Sequence, residues 1–250
     1  MEKPLVSIIT PAYKCKGTIE EAYLSIKEQT FSLWEWIIVE DNSDDDSFDF
    51  ISNLVSGDER VKLLRTSKNS GAATARNIGI NKATGRYIAF LDSDDLYKPE
   101  KLERQIKFMQ NTKSAFSFTD YDILCKNGNI KCHKIKHNLV DYKILLKSNC
   151  IGCLTVIYDT SMLGKVYMPI DCEKREDHGA WLDIVKSGIK ASRLGESLSI
   201  YRIGDSSVSS NKASMIKYQY RLYRRHEKFG VFKSCFYVFI CSLHKIFQKY

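Results

Sequence analysis

Short apolar runs and runs of helical period alternate from residue 5 to about residue 110 of this 250-residue chain, and that alternation restricts the fold more than any other feature. Residues 5–10 (Leu-Val-Ser-Ile-Ile-Thr) read as a strand that Pro11 stops. Residues 17–29 carry Ile19, Tyr23 and Ile26 at helical spacing. A strand over 36–39, a helix over 47–55 and a strand over 60–64 come next. An Ala-rich helix over 71–83 ends before Gly85, and residues 86–91 make a fourth strand. Lys98-Pro99-Glu100 opens a helix whose apolar face is Leu102, Ile106 and Met109. This order predicts a parallel sheet with helices on both faces. Beyond it, residues 114–124 are strand-like, Asn127-Gly128 signals a hairpin, residues 140–146 form a short helix and residues 154–158 a strand.

Ligands of such sheets bind beyond the carboxyl ends of the strands. Three polar punctuations fall there: Pro11-Ala12-Tyr13, Glu40-Asp41-Asn42 and Asp92-Ser93-Asp94-Asp95. They are expected to meet in one cleft. The last is the most telling, because the apolar run Tyr87-Ile88-Ala89-Phe90-Leu91 ends in three carboxylates within four residues. Their mutual repulsion costs stability, which a hard divalent cation would offset; Mg²⁺ and Mn²⁺ take oxygen ligands, often one or two carboxylates plus substrate phosphates. Asp92 and Asp94 lie two apart, so an extended backbone would point both the same way. The competing reading is a solvated acidic turn that caps the next helix. No G-x-G-x-x-G follows the first strand and no Walker A pattern occurs, which disfavours a dinucleotide fold and excludes a P-loop NTPase.

Charge is unevenly placed. The chain has 38 basic and 30 acidic residues, a formal net charge of +8. Residues 212–250 hold nine of the basic residues and one acid, Glu227, so the whole excess lies in this tail. Ten of the 29 aromatic residues interleave with those cations. The apolar run over 234–243 is too short to span a bilayer, which takes about 20 residues. A basic, aromatic, helix-like segment reads as one lying on an anionic membrane surface. Nucleic acid is the rival partner and is set aside; a helix packed on the domain with a solvated basic face is the plainer alternative. The eight cysteines show no regular framework. Cys150-Ile151-Gly152-Cys153 is a lone C-x-x-C, and His133 and His137 lie in a Lys-rich loop ill-suited to complete a zinc site. Met1-Glu2-Lys3-Pro4 leads straight into a strand with no signal-peptide pattern. Reduced thiols in a cytoplasmic protein are the expectation.

Five blocks, in order, resemble glycosyltransferase family 2 with the GT-A fold. They are Val6-Ser7-Ile8-Ile9-Thr10-Pro11-Ala12-Tyr13; Gln29-Thr30-Phe31 with Glu35-Trp36-Ile37-Ile38-Val39 and Glu40-Asp41-Asn42-Ser43; Asn69-Ser70-Gly71 with Ala75-Arg76-Asn77-Ile78-Gly79; the D-x-D block Phe90-Leu91-Asp92-Ser93-Asp94-Asp95; and Arg175-Glu176-Asp177 with Trp181. Tyr201-Arg202 and Ser207-Val208-Ser209 resemble the segment after that last block in members that build bacterial surface polysaccharides. The resemblance implies an α/β GT-A domain over 1–211, with a mostly parallel sheet, and a basic amphipathic helical extension over 212–250.

It also implies chemistry. Such enzymes move a sugar from a nucleotide diphosphate to an acceptor hydroxyl, and a divalent ion, Mn²⁺ or Mg²⁺, steadies the departing diphosphate. By resemblance Asp94 is the metal ligand, and Asp92 and Ser93 touch the ribose or reach the metal through water. Asp41 accepts from the base, usually uracil, and Tyr13 stacks on it beside the Pro11 and Ala12 backbone. Arg76 contacts the nucleotide; the alternative is a salt bridge on a helix face. Asp177 is the general base of an inverting transfer, or a helix cap, or both. Glu176 and Trp181 belong to the acceptor or sugar pocket. Glu40 stands where the family usually has Asp, and Lys14 where Asn is common. The expected enzyme uses a UDP-sugar and a saccharide acceptor, lipid-linked, for polysaccharide or lipopolysaccharide synthesis. It would sit on the inner face of the cell membrane through residues 212–250. A non-catalytic nucleotide-sugar or lipid-binding protein on the same scaffold is the alternative. A nucleotidyltransferase would need a basic, Gly-rich loop that the first strand lacks.

Overall fold

The computed structural model describes residues 3–203 and 212–247; Ser207-Val208-Ser209 lies outside them. Strands β1 (Val6–Ala12), β2 (Trp34–Glu40), β3 (Val61–Arg65) and β4 (Tyr87–Phe90) alternate with helices α1 (Ile19–Lys27), α2 (Ser47–Leu54) and α3 (Ala72–Lys82). Then come β5 (Leu96–Tyr97), α4 (Lys101–Thr112), β6 (Phe116–Leu124), β7 (Ile130–His133), β8 (Leu139–Val140) and α5 (Tyr142–Lys147). A 3₁₀ turn (Cys153–Thr155), β9 (Ile157–Asp159), α6 (Thr160–Leu163), α7 (Glu176–Lys186) and β10 (Ala191–Arg202) complete the sheet-bearing part. Helix α8 (Lys212–Arg221), a π-helical turn (Leu222–His226) and α9 (Val231–Phe247) form the tail.

The sheet order is β3-β2-β1-β4-β9-β6-β10-β5, with β7 beside β6 and β8 beside β10. The first four strands are parallel, as their spacing predicts. Beyond β4 the sheet is mixed: β9 runs antiparallel to β4 and to β6. Two antiparallel steps restore the original direction, so β6 and β10 point their carboxyl ends the same way as β1, β2 and β4. Consecutive residues of the central strands serve opposite faces. Ile9, Ile37, Val39, Ile88 and Phe90 enter one core cluster, while Ile8, Trp36, Ile38, Tyr87 and Ala89 enter the other. Burial on both faces explains why these strands read as continuous apolar runs.

Several expectations change. Pro11 does not stop β1; it pairs in register with Val39. The ladder to β4 ends at Ile9 and Phe90, so on that side Pro11 needs no N–H. Helix α4 begins at Lys101, two residues after Pro99. The twelve-residue β10 was not read from the sequence. Its pairing with β6 shifts register twice, between Leu194 and Ser197 and again before Ile200, which blurs the two-residue period that marks a strand.

Helix α3 lies close on β1. A Cβ at Gly79 would stand 2.6 Å from Ile9 Cγ2, so a glycine is needed for that approach. The tail packs through one face: Leu222, Tyr223 and Cys241 join the core, and the Tyr223 hydroxyl donates to the Leu146 carbonyl at 2.6 Å. Glu227, the tail's one acid, is buried and accepts from Lys186 Nζ at 3.0 Å and from the Tyr142 hydroxyl. On the outer side, Phe232 is 92% exposed, with Phe236 and Phe239 more than half exposed. No described helix is long and apolar enough to cross a membrane.

Candidate active site

The carboxyl ends of β1, β2 and β4 bring the three polar punctuations to one edge of the sheet. After β1, Ala12 is buried and Tyr13 exposes its ring, with Lys14 Nζ 5.5 Å from the ring centroid. After β2, Glu40 is fully buried, accepts from the Ser43 N–H at 2.7 Å and pairs with Arg65 at 3.1 Å. Lys14 pairs with Asp44 at 2.7 Å on the surface. Asp41 accepts from the Thr66 hydroxyl at 2.9 Å and from the N–H groups of Ser70 and Gly71 at 3.0 and 2.6 Å. It thereby fixes the entry to α3. A carboxylate has about four acceptor positions, so Asp41 keeps little capacity beyond these three donors.

The acidic run is a turn, not an extension of β4. The Asp95 N–H donates to the Asp92 carbonyl at 3.1 Å, so the run does not continue the extended strand that would set Asp92 and Asp94 on one strand face. Asp92 accepts from Arg76 Nη2 at 2.6 Å. Ser93 bonds to the Cys15 thiol. Asp95 is buried and accepts from the Arg202 backbone N–H at 3.0 Å, at the end of β10. Asp94 alone of the three is exposed. Loss of solvation in the cleft and the neighbouring Asp92 charge hold its carboxyl above the usual range. Burial, then Asp92 and Asp94, raise Asp95 further.

The opposite wall is the start of α7. Glu176 is its first residue and pairs with Arg76 Nη1 at 3.1 Å. Burial raises the Glu176 carboxyl although Arg76 opposes the shift. One buried guanidinium therefore ties the acidic turn to α7, and Arg76 reaches a donor only past the two carboxylates it holds. Asp177 Oδ1 accepts from the His178 N–H at 2.7 Å, and its Oδ2 accepts from Asn149 Nδ2 at 3.3 Å. The Asp177 carboxylate thus stays in the first turn of α7, where the helix dipole favours negative charge. His178 is fully buried; its ring nitrogens meet the Leu145 carbonyl at 2.9 Å and Gln219 at 3.3 Å, pinning α7 to α5 and α8. Trp181 lies beneath the site and not in it. It is fully buried between Phe90 and Phe116, with ring centroids 5.7 and 5.3 Å away. Buried polar atoms without a partner here include Arg76 Nε, Asn149 Oδ1, Arg175 Nε, Glu176 Oε2 and Trp181 Nε1.

The donor set suits a hard divalent ion, since it offers carboxylate oxygens at an exposed Asp94 beside the Asp92 charge. Asp92, Asp94 and Asp95 do not bring three ligand atoms within 4.8 Å of one another. An ion there would keep positions for a substrate's phosphates, as a Mg²⁺-type site does. Sequence reasoning did not assign Asn149 or the Arg76–Glu176 bridge. Both link segments 28 and 100 residues apart, and no local pattern encodes such a contact.

The family model for glycosyl transferase family 2 matches residues 7–165. TuaG of Bacillus subtilis (strain 168), named for teichuronic acid biosynthesis, is 40% identical over 238 residues, 94% of each chain. WfgD of Escherichia coli, a UDP-Glc:alpha-D-GlcNAc-diphosphoundecaprenol beta-1,3-glucosyltransferase, is 38% identical over 221 residues, 88% of this chain and 85% of its own. Among solved structures, S. aureus TarS 1-349 in complex with UDP-GlcNAc has a TM-score of 0.69 at 19% identity, over 93% of this chain and 70% of that one. Mannosyltransferase PcManGT from Pyrobaculum calidifontis, in complex with GDP-Man and Mn2+, gives 0.70 at 15% identity, over 95% and 70%. These two likenesses speak to the fold.

Proposed function

This chain belongs to glycosyl transferase family 2 and has the GT-A fold, and from that premise we propose that it is a metal-dependent, inverting transferase acting on a UDP-sugar and a lipid-linked saccharide. The observation that carries the reading is the Arg76 bridge, which holds the acidic turn after β4 and the Glu176-Asp177 start of α7 around one cleft.

Asp177 is the general base. It takes the proton of the acceptor hydroxyl as that oxygen forms its bond to the anomeric carbon. The bond from that carbon to the donor phosphate oxygen breaks on the opposite face, and the diphosphate leaves with the electron pair. Attack from one face and departure from the other inverts the centre. Asp94, with Asp92 and Ser93 nearby, would hold Mn²⁺ or Mg²⁺, which when bound supplies Lewis-acid stabilisation of the departing diphosphate. Tyr13 stacks on the base beside the Pro11 and Ala12 backbone, and Asp41 addresses the base edge with its remaining capacity. Arg76 keeps Asp92 and Glu176 oriented toward donor and acceptor.

A UDP donor and a lipid diphosphate acceptor are supported by the activity that WfgD is named for. Membrane seating is supported by α9, where Phe232, Phe236 and Phe239 lie four and three residues apart on one exposed face, among the cations Arg224, Arg225, Lys228 and Lys233. The enzyme would then work at the inner face of the membrane. Nothing favours a non-catalytic binding protein, since the base and the acidic turn are both present.

Proton NMR of the product from UDP-glucose and an N-acetylglucosaminyl diphosphate lipid tests the mechanism. A β-linked product made only with Mn²⁺ or Mg²⁺ is expected; an α-linked product, or full activity in chelator, overturns it. Flotation with anionic liposomes at low salt tests the seating. Removal of residues 212–250 with binding unchanged would refute it.

A further inference from the structure

Helices α8 and α9 border an open, mostly apolar groove of about 540 Å³, lined by Ile216, Tyr220, Cys235, Val238, Phe239 and Ser242, with Lys217 also on its wall. That volume falls within the range of ligand sites, about 300–1,000 Å³. Phe239 belongs both to the groove and to the exposed aromatic face of α9. The groove therefore opens onto the surface that the proposed function turns to the bilayer.

A path leads from the groove back to the catalytic base. Helix α8 and the π turn after it pack on α7, with Gln219 on His178 and Leu222 near Gly179, where a Cβ would come within 3.4 Å of Leu222 Cδ1. Next to the start of α7, Lys174 Nζ and the Arg221 guanidinium lie 4.9 and 5.7 Å from the Tyr218 ring centroid. Tyr218 donates to Glu173 at 3.2 Å, and Arg221 pairs with Glu173 at 3.6 Å. Lys174 is three residues before Asp177, while Lys217 is one residue before Tyr218 and edges the groove. Lys174 and Arg221 thus flank Tyr218 near the start of α7, and the next residue back along α8, Lys217, lines the groove.

That order matches an acceptor made of a sugar, a diphosphate and an isoprenoid chain. We infer that the α8–α9 groove seats the first isoprene units of a polyprenyl diphosphate-linked acceptor, with Lys174, Lys217 and Arg221 toward its diphosphate. The cations complement the diphosphate. The apolar walls let the chain pass from bilayer to protein without entering water. The inference rests on the lipid-linked acceptor proposed above, and it concerns a chain-binding site separate from adhesion to the membrane.

The experiment omits membrane and detergent. N-acetylglucosaminyl diphosphate is prepared with a methyl ester or with a three-isoprene chain, the latter kept below its micelle concentration. Wild type is expected to use both, with KM at least tenfold lower for the isoprenoid and similar kcat. Ser242→Trp, which fills the groove, is expected to remove that difference and leave the methyl acceptor's KM unchanged. Cys235 in the groove and Cys132 on β7 are both exposed thiols. The isoprenoid acceptor is expected to slow maleimide labelling of Cys235 severalfold and to leave Cys132 unaffected. Because labelling uses wild type, it stands even if the tryptophan variant misfolds. Equal KM values for the two acceptors, or unprotected Cys235, would overturn the groove alone. Transfer to neither acceptor would overturn the acceptor reading and the groove with it.

Discussion

Arg76 donates to Asp92 across 2.6 Å from a side chain that is 7% exposed, and its other Nη reaches Glu176. Burial disfavours the guanidinium charge, yet Asp92 and Glu176 outweigh that and keep it firmly protonated. Arg76→Met would leave two partly buried carboxylates facing each other without a counter-charge. Breaking a buried pair in this way costs about 3–5 kcal/mol. Urea unfolding should show a loss in that range; a loss below about 1 kcal/mol would mean that the bridge does not hold the cleft.

Asn149 gives its amide N–H to Asp177 while its own Oδ1 stays buried without a partner. An unmet buried acceptor costs about 1–3 kcal/mol, so this orientation serves the carboxylate and not the fold. Asn149→Ala should leave the melting temperature unchanged or raised and lower kcat roughly tenfold. A variant that loses stability and keeps kcat would assign Asn149 to packing.

Lys101 is fully buried, donates to Gln105 Oε1 at 2.7 Å and to the Thr155 carbonyl at 3.3 Å, and lies 4.9 Å from the Tyr97 ring centroid. Burial pushes its pKa down to about 7. The unfolded chain, near pKa 10.4, binds the proton more tightly, so stability should rise with pH from about 7. Above roughly pH 8.5 the opposite slope sets in, because burial raises the thiols of Cys15, Cys150, Cys153 and Cys172. Lys101→Met should remove up to about 1.4 kcal/mol per pH unit of the slope between pH 7 and 8.5. Denaturant titrations of both proteins across that window check it, and parallel curves would contradict it.

The alternating strands and helices up to α4 were legible because β1, β2 and β4 are buried on both faces and helices such as α1 and α4 carry an apolar period. The cleft was legible because parallel strands deliver their ends to one edge. What the sequence could not reveal is long-range. Asp92 and Asp94 were expected side by side on an extended strand, but the chain turns after Phe90, which frees Asp92 for Arg76. Trp181 was expected at the sugar pocket, yet the face of α7 that carries it is the core face, between Phe90 and Phe116. The tail's basic and aromatic pattern was plain, whereas its anchoring through Leu222 and Tyr223 depends on a π turn that breaks the helical period.

The central claim is that Asp177 removes the acceptor proton in a cleft whose donor side works without it. Asp177→Asn keeps the shape and an acceptor oxygen for Asn149 while removing the base, a loss of about 10²–10⁴ in rate. The measurement is transfer from UDP-glucose by wild type and Asp177→Asn, with UDP affinity in Mn²⁺ measured by calorimetry on the same samples. At least a hundredfold lower kcat with unchanged UDP affinity is the expected result; transfer at the wild-type rate by the folded variant would contradict it.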